Sequence, residues 1–295
     1  MSLDLIETTA IVTVSYNSSG QLEQFLSSLK TSGYGDMAVT IADNSSQDLD
    51  STQAIAASYG ASVISLQSNL GYGGGVNAAV TSLPKSKSYV VICNPDILIC
   101  EHAIDVLLAK LASDHRIGAI GPAIKNLDGS TYPSARHLPS LLNGIGHALF
   151  ARIWPRNPWT ASYHAENSAK ARDAGWLSGA CLLVRREAFE AVGGFDERYF
   201  MYFEDVDLGH RFAQAGYRNY YEPRASVIHF GGLSTAQENT KMVNEHHRSA
   251  YLYLAARYPG PVLAPVRWSL RFGLRVRAWS LTHRKHEKST GDQSP

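Results

Sequence analysis

The 295-residue sequence lacks several features that would assign its class at once. Its three cysteines, Cys93, Cys100 and Cys181, contain no Cys-x-x-Cys spacing, which argues against a disulfide framework and favours reduced thiols in a reducing compartment. It has no run of about 18 apolar residues, so we expect no membrane-spanning helix. Residues 1–9 contain two acidic and no basic residues, which is unlike a signal peptide.

The sequence also lacks a strong excess of charge of either sign. A formal net charge of +1 argues against a globally basic nucleic-acid binder, and we expect no nucleic-acid partner. With 44% hydrophobic and 18% charged residues, the composition is that of a globular protein and excludes disorder, collagen and coiled coil as the main structure. The balance hides an asymmetry, because residues 257–295 hold eight Lys and Arg against two acidic residues.

The first 120 residues alternate between short β-branched runs and helical patterns. Strands are predicted at 10–14, 39–42, 62–66, 89–93 and 118–120, and helices at 21–30, 52–58, 75–83 and 103–112. This alternation is typical of βαβ units around a parallel sheet, whose ligands bind beyond the carboxyl ends of the strands.

The remainder of the chain is less regular. Residues 126–175 have little periodicity, and we predict a long irregular segment there. Further predicted elements are a regular stretch at 176–185, a helix after residues 204–207, short strands at 219–221 and 226–229, and a helix at 237–256.

Polar residues follow each of the first four predicted strands. They are Ser15 and Asn17, Asp43 to Ser46, Asn69 to Gly75, and Asn94 to Asp96. Each group alone fits turn chemistry, but four together favour a ligand site at one edge of the sheet. The glycines at 71–75 lack the third glycine of G-x-G-x-x-G and the lysine of a P-loop, which argues against a nicotinamide oxidoreductase. They leave a turn that opens a helix, where backbone N–H groups could face a phosphate.

Two further positions have side chains suited to metal binding or proton transfer. Asp96 follows a buried strand and could bind Mg²⁺ or Mn²⁺, or could instead cap a helix that starts near residue 101. His229, at the end of a short predicted strand, fits either a structural hydrogen bond or a metal ligand beside Asp96.

Three carboxylates lie within four residues, at Glu204, Asp205 and Asp207, after an aromatic stretch. Packing against aromatic surface raises a carboxylate pKa toward the range of a general base. Helical spacing places Glu204 and Asp207 on one face and Asp205 elsewhere. The alternative is that acidic residues simply favour the N-terminus of a helix.

Seven ordered motifs resemble the inverting family 2 glycosyltransferases with a GT-A fold. They lie at 11–17, 43–46, 69–77, 94–96, 176–185, 193–196 and 203–208. The resemblance implies an α/β fold in residues 1–235, with a Rossmann-like mixed sheet flanked by helices. Its halves would be a nucleotide-binding part, 1–122, and an acceptor-binding part, 123–235. Residues 236–295 would form a C-terminal helical, basic extension.

The resemblance also implies which residues bind the donor. The nucleotide sugar would be contacted by Thr13, Ser15, Asn17, Asp43, Asn69, Gly71, Gly74, Asn77 and Asn94. Asp96 matches the last position of the D-x-D metal motif and would bind Mn²⁺ or Mg²⁺ with His229. Asn94 replaces the first Asp of that motif, which leaves one carboxylate.

On the acceptor side, the resemblance implies that Asp205 is the catalytic base and that Glu204 helps to hold the acceptor. Trp176, Ser178 and Gly179 match the acceptor-side wall. The implied reaction is a single displacement that inverts the anomeric configuration, so we expect no nucleophilic residue.

A narrower resemblance comes from residues 132–136, 153–159 and 246–256. These stretches are similar to the rhamnosyltransferases of mycobacterial cell-wall linker synthesis, which implies a dTDP-L-rhamnose donor and a polyprenyl-diphosphate-linked N-acetylglucosamine acceptor. Two alternatives stay open, namely transfer of another sugar, such as galactofuranose from a UDP-sugar, and a non-catalytic scaffold that binds nucleotide sugars.

The basic tail has an amphipathic pattern if residues 262–281 form a helix. Arg267, Arg271 and Arg275 recur every fourth residue, and apolar residues flank this stripe on both sides: Leu263, Val266, Leu270 and Leu274, and Trp268, Phe272, Val276 and Trp279. Such a helix can lie in a membrane interface, so we expect a peripheral protein on the cytoplasmic face of the plasma membrane. The alternatives are docking on the catalytic domain and a homodimer interface.

Overall fold

The computed structural model describes residues 3–139, 170–231, 239–269 and 271–273. The strands are β1 Thr9–Ser15, β2 Ala38–Asp43, β3 Ser62–Ser65, β4 Tyr89–Cys93, β5 Ile97–Ile99, β6 Ile117–Lys125, β7 Thr131–Tyr132, β8 Ala135–Arg136, β9 Arg172–Ala174, β10 Trp176–Leu177, β11 Cys181–Arg185 and β12 Arg218–His229. The helices are α1 Leu3–Glu7, α2 Ser19–Thr31, α3 Leu49–Ser58, α4 Gly71–Ser82, α5 Ala103–Ser113, α6 Arg186–Ala191, α7 Glu204–Gln214 and α8 Asn239–Arg257.

Most of the strands form one mixed sheet. Its order is β3-β2-β1-β4-β11-β6-β12-β5, with β7 added to β6 and β9 added to β12. The first four strands are mutually parallel, whereas β11 runs antiparallel between β4 and β6. The carboxyl ends of β1, β2 and β4 therefore meet the amino end of β11 at one edge, which confirms the predicted mixed sheet.

The core lies on both faces of this sheet. All seven residues of β1 are buried, and successive side chains point to opposite faces. Ile11 packs in the cluster that α2 and α5 cover, while Val12 packs in the cluster that α4, α6 and α7 cover. Because helices cover both faces, the strands read as continuous apolar runs.

The structure corrects the prediction of two strands at 219–221 and 226–229. They belong to one strand, β12, whose register against β6 shifts between Glu222 and Ser226. Pro223 lies in this interval and has no N–H to donate to a ladder, which explains why the strand pattern in the sequence is interrupted there.

The chain divides into two compact units. The first contains the described residues up to Arg198 together with Glu204–Gly231, and the second contains Tyr199–Phe203 and the described residues beyond 238. Within the second unit, α8 packs on the short segment, because Ser249 Oγ donates to Met201 O at 2.9 Å. The domain boundaries predicted from the sequence stay predictions.

The tail and the long irregular segment are only partly described. Residues 264–269 and 271–273 are helical, while 274–281 of the predicted amphipathic helix lie outside the described residues. Residues 140–169, which include the stretch 153–159, also lie outside them. Among the helices that are described, none has the length and hydropathy needed to cross a bilayer.

Candidate active site

The loops after β1 and β2 are joined to each other by hydrogen bonds. The two strands end side by side, with Ser15 opposite Asp43. Asn17 N donates to Ser46 Oγ at 3.0 Å, and Asn17 Oδ1 accepts from Gln47 N at 2.8 Å. Asn17 has a left-handed backbone, with φ of 51°, a conformation that Asn tolerates better than most residues. These bonds fix the first two polar strand ends relative to each other.

Asp43 has one carboxylate oxygen that the described chain leaves unpaired. Its Oδ1 accepts from Ser46 N at 2.8 Å, whereas Oδ2 is buried without a partner among the described residues. Thr13 Oγ1, on the neighbouring strand, is buried and unpaired in the same sense. Such atoms are costly unless a ligand or water satisfies them. The predicted contacts of Thr13 and Asp43 with a nucleotide are compatible with this geometry and stay predictions.

Asn44 belongs to the polar group predicted after β2, but the sequence prediction gave it no individual contact with a ligand. Its Nδ2 donates to Gly71 O at 2.8 Å, and its Oδ1 accepts from Leu70 N at 3.2 Å, so it fixes the turn that opens α4. Asn69 Oδ1 accepts from Gly71 N at 2.9 Å in the same turn. A Cβ at Gly74 would lie 2.7 Å from Leu70 Cβ, which explains the glycine there. The only signal for Asn44 in the sequence is its position after a strand.

Asn77 lies in α4 and already bonds to another part of the chain. Its Nδ2 donates to Phe195 O at 2.8 Å and to Glu197 Oε1 at 3.2 Å, while its Oδ1 accepts from Phe195 N at 2.9 Å. These bonds give the amide a structural role, tying α4 to the loop after α6. Its predicted contact with the nucleotide stays a prediction.

Asp96, which follows β4, and His229, which ends β12, lie close together at this edge of the sheet. The short strand β5 pairs with β12 so that Ile97 lies opposite His229, and the His229 Nε2 lies 3.1 Å from Asp96 Oδ2. Asp96 Oδ1 is buried and has no partner within the described part of the chain. The alternative of a helix cap is excluded, because β5 separates Asp96 from α5, which begins at Ala103.

The segment between β10 and β11 connects this pair to the acidic helix. Ala180 O accepts from Asn94 N at 2.9 Å, and the preceding Gly179 N donates to Asp205 Oδ2 at 3.0 Å. Two consecutive residues thus bond to the loop of Asp96 on one side and to the start of α7 on the other. The predicted metal and base positions are brought to the same edge by this segment.

Glu204 and Asp205 begin α7 in a buried setting. Burial raises the pKa of Asp205 to about 6, although its hydrogen bonds from the N–H groups of Gly179 and Val206 oppose the rise. Burial and the neighbouring charge of Asp205 raise the pKa of Glu204 to about 8. Glu204 Oε2 has no partner among the described residues. Of the two, Glu204 has the higher pKa, so it binds a proton before Asp205 does as the pH falls. This order favours Asp205 as the proton acceptor and Glu204 as a hydrogen-bond donor.

The third acid of the cluster has a different role. Asp207 Oδ2 accepts from Arg211 Nε at 2.6 Å, and Arg211 Nη1 donates to Val192 O and Gly194 O at 2.6 and 2.7 Å. Asp207 therefore anchors α7 to the loop after α6, as a structural ion pair one helical turn from its partner.

Of the predicted acceptor wall, Gly179 contacts the carboxylate of Asp205 directly, and the residues before it are fixed by further hydrogen bonds. Tyr72 Oη donates to Gly179 O at 2.6 Å, Ser178 N donates to Ser134 O at 2.7 Å, and Trp176 Nε1 donates to His137 O at 3.1 Å. The backbone of 176–180 is thereby fixed between α4, β8 and α7. Tyr72 lies within the predicted motif 69–77 but was given no role there, and no local pattern indicates its contact with Gly179.

The fold and this site together define a class of enzyme. The sequence profile described as Glycosyltransferase like family 2 matches residues 7–251, so the chain belongs to this family of glycosyltransferases. Its architecture is similar to a mannosyltransferase from Pyrobaculum calidifontis, solved in complex with GDP-Man and Mn²⁺, with a TM-score of 0.59 at 16% identity over 98% of this chain and 76% of the other.

Within the family, the sequence is similar to rhamnosyltransferases. The chain is 43% identical over 278 residues to the N-acetylglucosaminyl-diphospho-decaprenol L-rhamnosyltransferase of Mycobacterium tuberculosis, covering 91% of each chain. It is also 28% identical over 193 residues to the rhamnosyltransferase WbbL of Escherichia coli K12, covering 63% of this chain and 71% of that protein.

Proposed function

We propose that the protein transfers L-rhamnose from dTDP-L-rhamnose to the N-acetylglucosamine of a polyprenyl-diphosphate-linked acceptor, with inversion at the anomeric carbon. The observation that carries the proposal is the 43% identity to the mycobacterial enzyme over 91% of both chains. The arrangement at the sheet edge supports it, because nucleotide-side, metal-side and base-side residues converge there.

In this reaction Asp205 is the general base. Its carboxylate takes the proton from an acceptor hydroxyl as that oxygen attacks the anomeric carbon and the nucleoside diphosphate leaves. The hydrogen bond from Gly179 N orients Oδ2, and the raised pKa brings the group near the operating pH, where proton transfer is most efficient. Glu204, protonated at neutral pH, is placed to donate a hydrogen bond to the acceptor.

A divalent cation fits the pair formed by Asp96 and His229. The unpaired, buried Asp96 Oδ1 is the observation that favours it, and Asn94 adds an amide oxygen on the same loop. No cluster of three or more His, Cys, Asp or Glu side chains placed for a metal exists among the described residues. In the proposed site, donor phosphates would supply the remaining ligands of Mg²⁺ or Mn²⁺. When bound, the cation would stabilise the negative charge of the leaving diphosphate.

The lipid-linked acceptor also requires the enzyme to work at a membrane. In the helical segments after α8, Trp268 and Phe272 are 78% and 71% exposed, beside Arg267 and Arg271. Exposed aromatic residues next to arginines suit the interface of an anionic bilayer. We propose peripheral binding to the cytoplasmic face of the plasma membrane, with a homodimer through this surface as the alternative.

A vesicle experiment separates the two uses of this surface. Co-sedimentation with vesicles containing anionic lipid should fall for the double variant Trp268→Ser and Phe272→Ser, while the control Leu127→Ser, at an exposed apolar residue elsewhere, should bind as the wild type does. Unchanged sedimentation of the double variant, together with a change in its mass in solution, would favour the homodimer.

A donor screen tests the proposed reaction. Calorimetry with Mn²⁺ or Mg²⁺ present should show metal-dependent binding of dTDP-L-rhamnose in preference to UDP-galactofuranose, and turnover should require the lipid-linked N-acetylglucosamine. Preference for the UDP-sugar would replace the donor but keep the enzyme class. A folded protein that binds donor without turning it over would favour the scaffold.

A further inference from the structure

Three residues near Asp205, namely Tyr132, Arg136 and Trp176, form a cluster. The proposed reaction assigns a role to only part of it. Arg136 on β8 pairs in register with Trp176 on β10, and its guanidinium lies over the rings of Tyr132 and Trp176, each at 5.8 Å from the ring centroid. Its Nε donates to Pro133 O at 2.9 Å. The cation is thus held in place by two aromatic faces and a backbone carbonyl.

This group is fixed relative to the catalytic helix. A Cβ on Gly209 of α7 would lie 2.7 Å from Trp176 Cβ, so β10 packs directly against the helix that begins with Glu204 and Asp205. The charge of Arg136 is also close enough to oppose the rise in the pKa of Asp205 that burial causes. Arg136 and Asp205 are therefore near enough to interact electrostatically, and β10 connects the two through its packing on α7.

The charges at this site make a cation there useful to the proposed acceptor. That acceptor carries a diphosphate on its sugar, and it enters a region that already holds the carboxylate of Asp205 and receives the diphosphate of the donor. Like charges at short range in a partly buried site repel strongly. A planar guanidinium binds phosphate oxygens through two parallel hydrogen bonds, which the ammonium of a lysine cannot reproduce.

We propose that Arg136, held over Tyr132 and Trp176, binds the diphosphate of the acceptor and so places the acceptor sugar at Asp205. This inference rests on the proposed function. Arg136 is thereby a specificity-determining residue that distinguishes sugar diphosphates from uncharged glycosides.

The test compares two soluble acceptors that differ only in the diphosphate. One is N-acetylglucosamine joined through diphosphate to a short alkyl chain, and the other is the matching alkyl glycoside without phosphate. Binding by calorimetry and transfer kinetics are measured for the wild type, Arg136→Gln and Arg136→Lys. Arg116→Gln is the control, because Arg116 immediately precedes β6 at the opposite edge of the sheet.

The expected result is a selective loss. Arg136→Gln should weaken binding of the diphosphate acceptor and raise its KM by about 10- to 100-fold, the effect of losing a charge-assisted pair of hydrogen bonds. The uncharged glycoside, the donor KM and the control variant should be unaffected. Arg136→Lys should recover only part of the loss, because it keeps the charge without the planar geometry.

Three results with the Arg136→Gln variant would overturn the inference. They are equal losses for both acceptors, a raised donor KM, and wild-type affinity of Arg136→Gln for the diphosphate acceptor. Failure of the proposed function is recognised separately, since it would leave the wild type without rhamnose turnover whatever the acceptor calorimetry shows. A wild type that does not prefer the diphosphate acceptor to the glycoside in calorimetry would overturn the inference alone.

Discussion

Asp96, which follows a strand, and Asp205, which lies in the first turn of a helix, are at the same edge of the sheet. Their surroundings differ. Asp96 faces the imidazole of His229 at 3.1 Å and keeps one oxygen without a partner among the described residues. Asp205 accepts hydrogen bonds from the N–H groups of Gly179 and Val206, it adjoins Glu204, and burial raises its pKa to about 6. One residue type thus fits the proposed cation binding in one place and the proposed proton transfer in the other, because the neighbours differ.

The largest effect is expected from removing the base. Asp205→Asn keeps the shape of the side chain but cannot accept a proton, so kcat should fall by about 10²- to 10⁴-fold, which is the usual contribution of a positioned base. Donor affinity in calorimetry should be unchanged, because the proposed partner of Asp205 is the acceptor and not the donor. Asp128→Asn, at an exposed turn, is the matched control. Retained turnover by Asp205→Asn would refute its assignment as the base.

Removing the other carboxylate should affect the donor instead. Asp96→Asn should weaken metal-dependent binding of the nucleoside diphosphate by about tenfold or more, since a carboxylate ligand of the cation is lost. Binding measured in the presence of a chelator should not differ between this variant and the wild type. If the metal-dependent titrations of the two proteins coincide, Asp96 has no part in holding the cation. The same substitution at Asp105, on α5, provides the control.

The pH dependence of kcat and of donor affinity distinguishes Asp205 from Asp96 without a substitution. Asp205 has a folded-state pKa of about 6, so it is ionised above that pH and protonated below it. Its proton-accepting form therefore declines about tenfold for each pH unit below 6, and kcat should follow. Donor affinity, measured at the same pH values, identifies any part of the pH effect that comes from donor binding near Asp96. A kcat that stays constant from pH 7 to 5 would contradict the base assignment.

The smallest effect is expected from substituting Glu204, and it concerns the stability of the fold and its dependence on pH. Its pKa is about 8 in the folded protein, against the ordinary value of 4.5 for a glutamate. As the pH rises, Glu204 therefore ionises in the unfolded chain before it does in the folded protein. The stability that the protonated form contributes is present below about 4.5 and is lost as the pH rises toward 8.

Glu204→Gln removes this dependence. Its melting temperature should exceed that of the wild type by at least about 2 °C at pH 8.5, and the difference should shrink at pH 5. The exposed Glu187→Gln is the control and should show no such trend. A difference that does not vary with pH would mean that Glu204 is ionised in the fold.

Local patterns in the sequence were sufficient for most of the alternating strands and helices of the first 120 residues, whereas the short α1 and β5 were not predicted. Buried strands between helices require continuous apolar runs, and their ends require turn residues, so both features can be read without a structure. The polar groups after β1, β2 and β4 were predicted for this reason. The position of Glu204 and Asp205 at the start of a helix follows from the same local rules.

Contacts between distant segments were decided by the tertiary structure. The sequence does not indicate that β5 pairs with β12, which brings His229 to Asp96, or that Tyr72 donates to Gly179. It also does not distinguish Asp207, which pairs with Arg211, from the two acids beside it. Strand pairing and burial set these partners and the pKa values that follow, and both depend on the whole fold, whereas the type of each element depends on its neighbours in the chain.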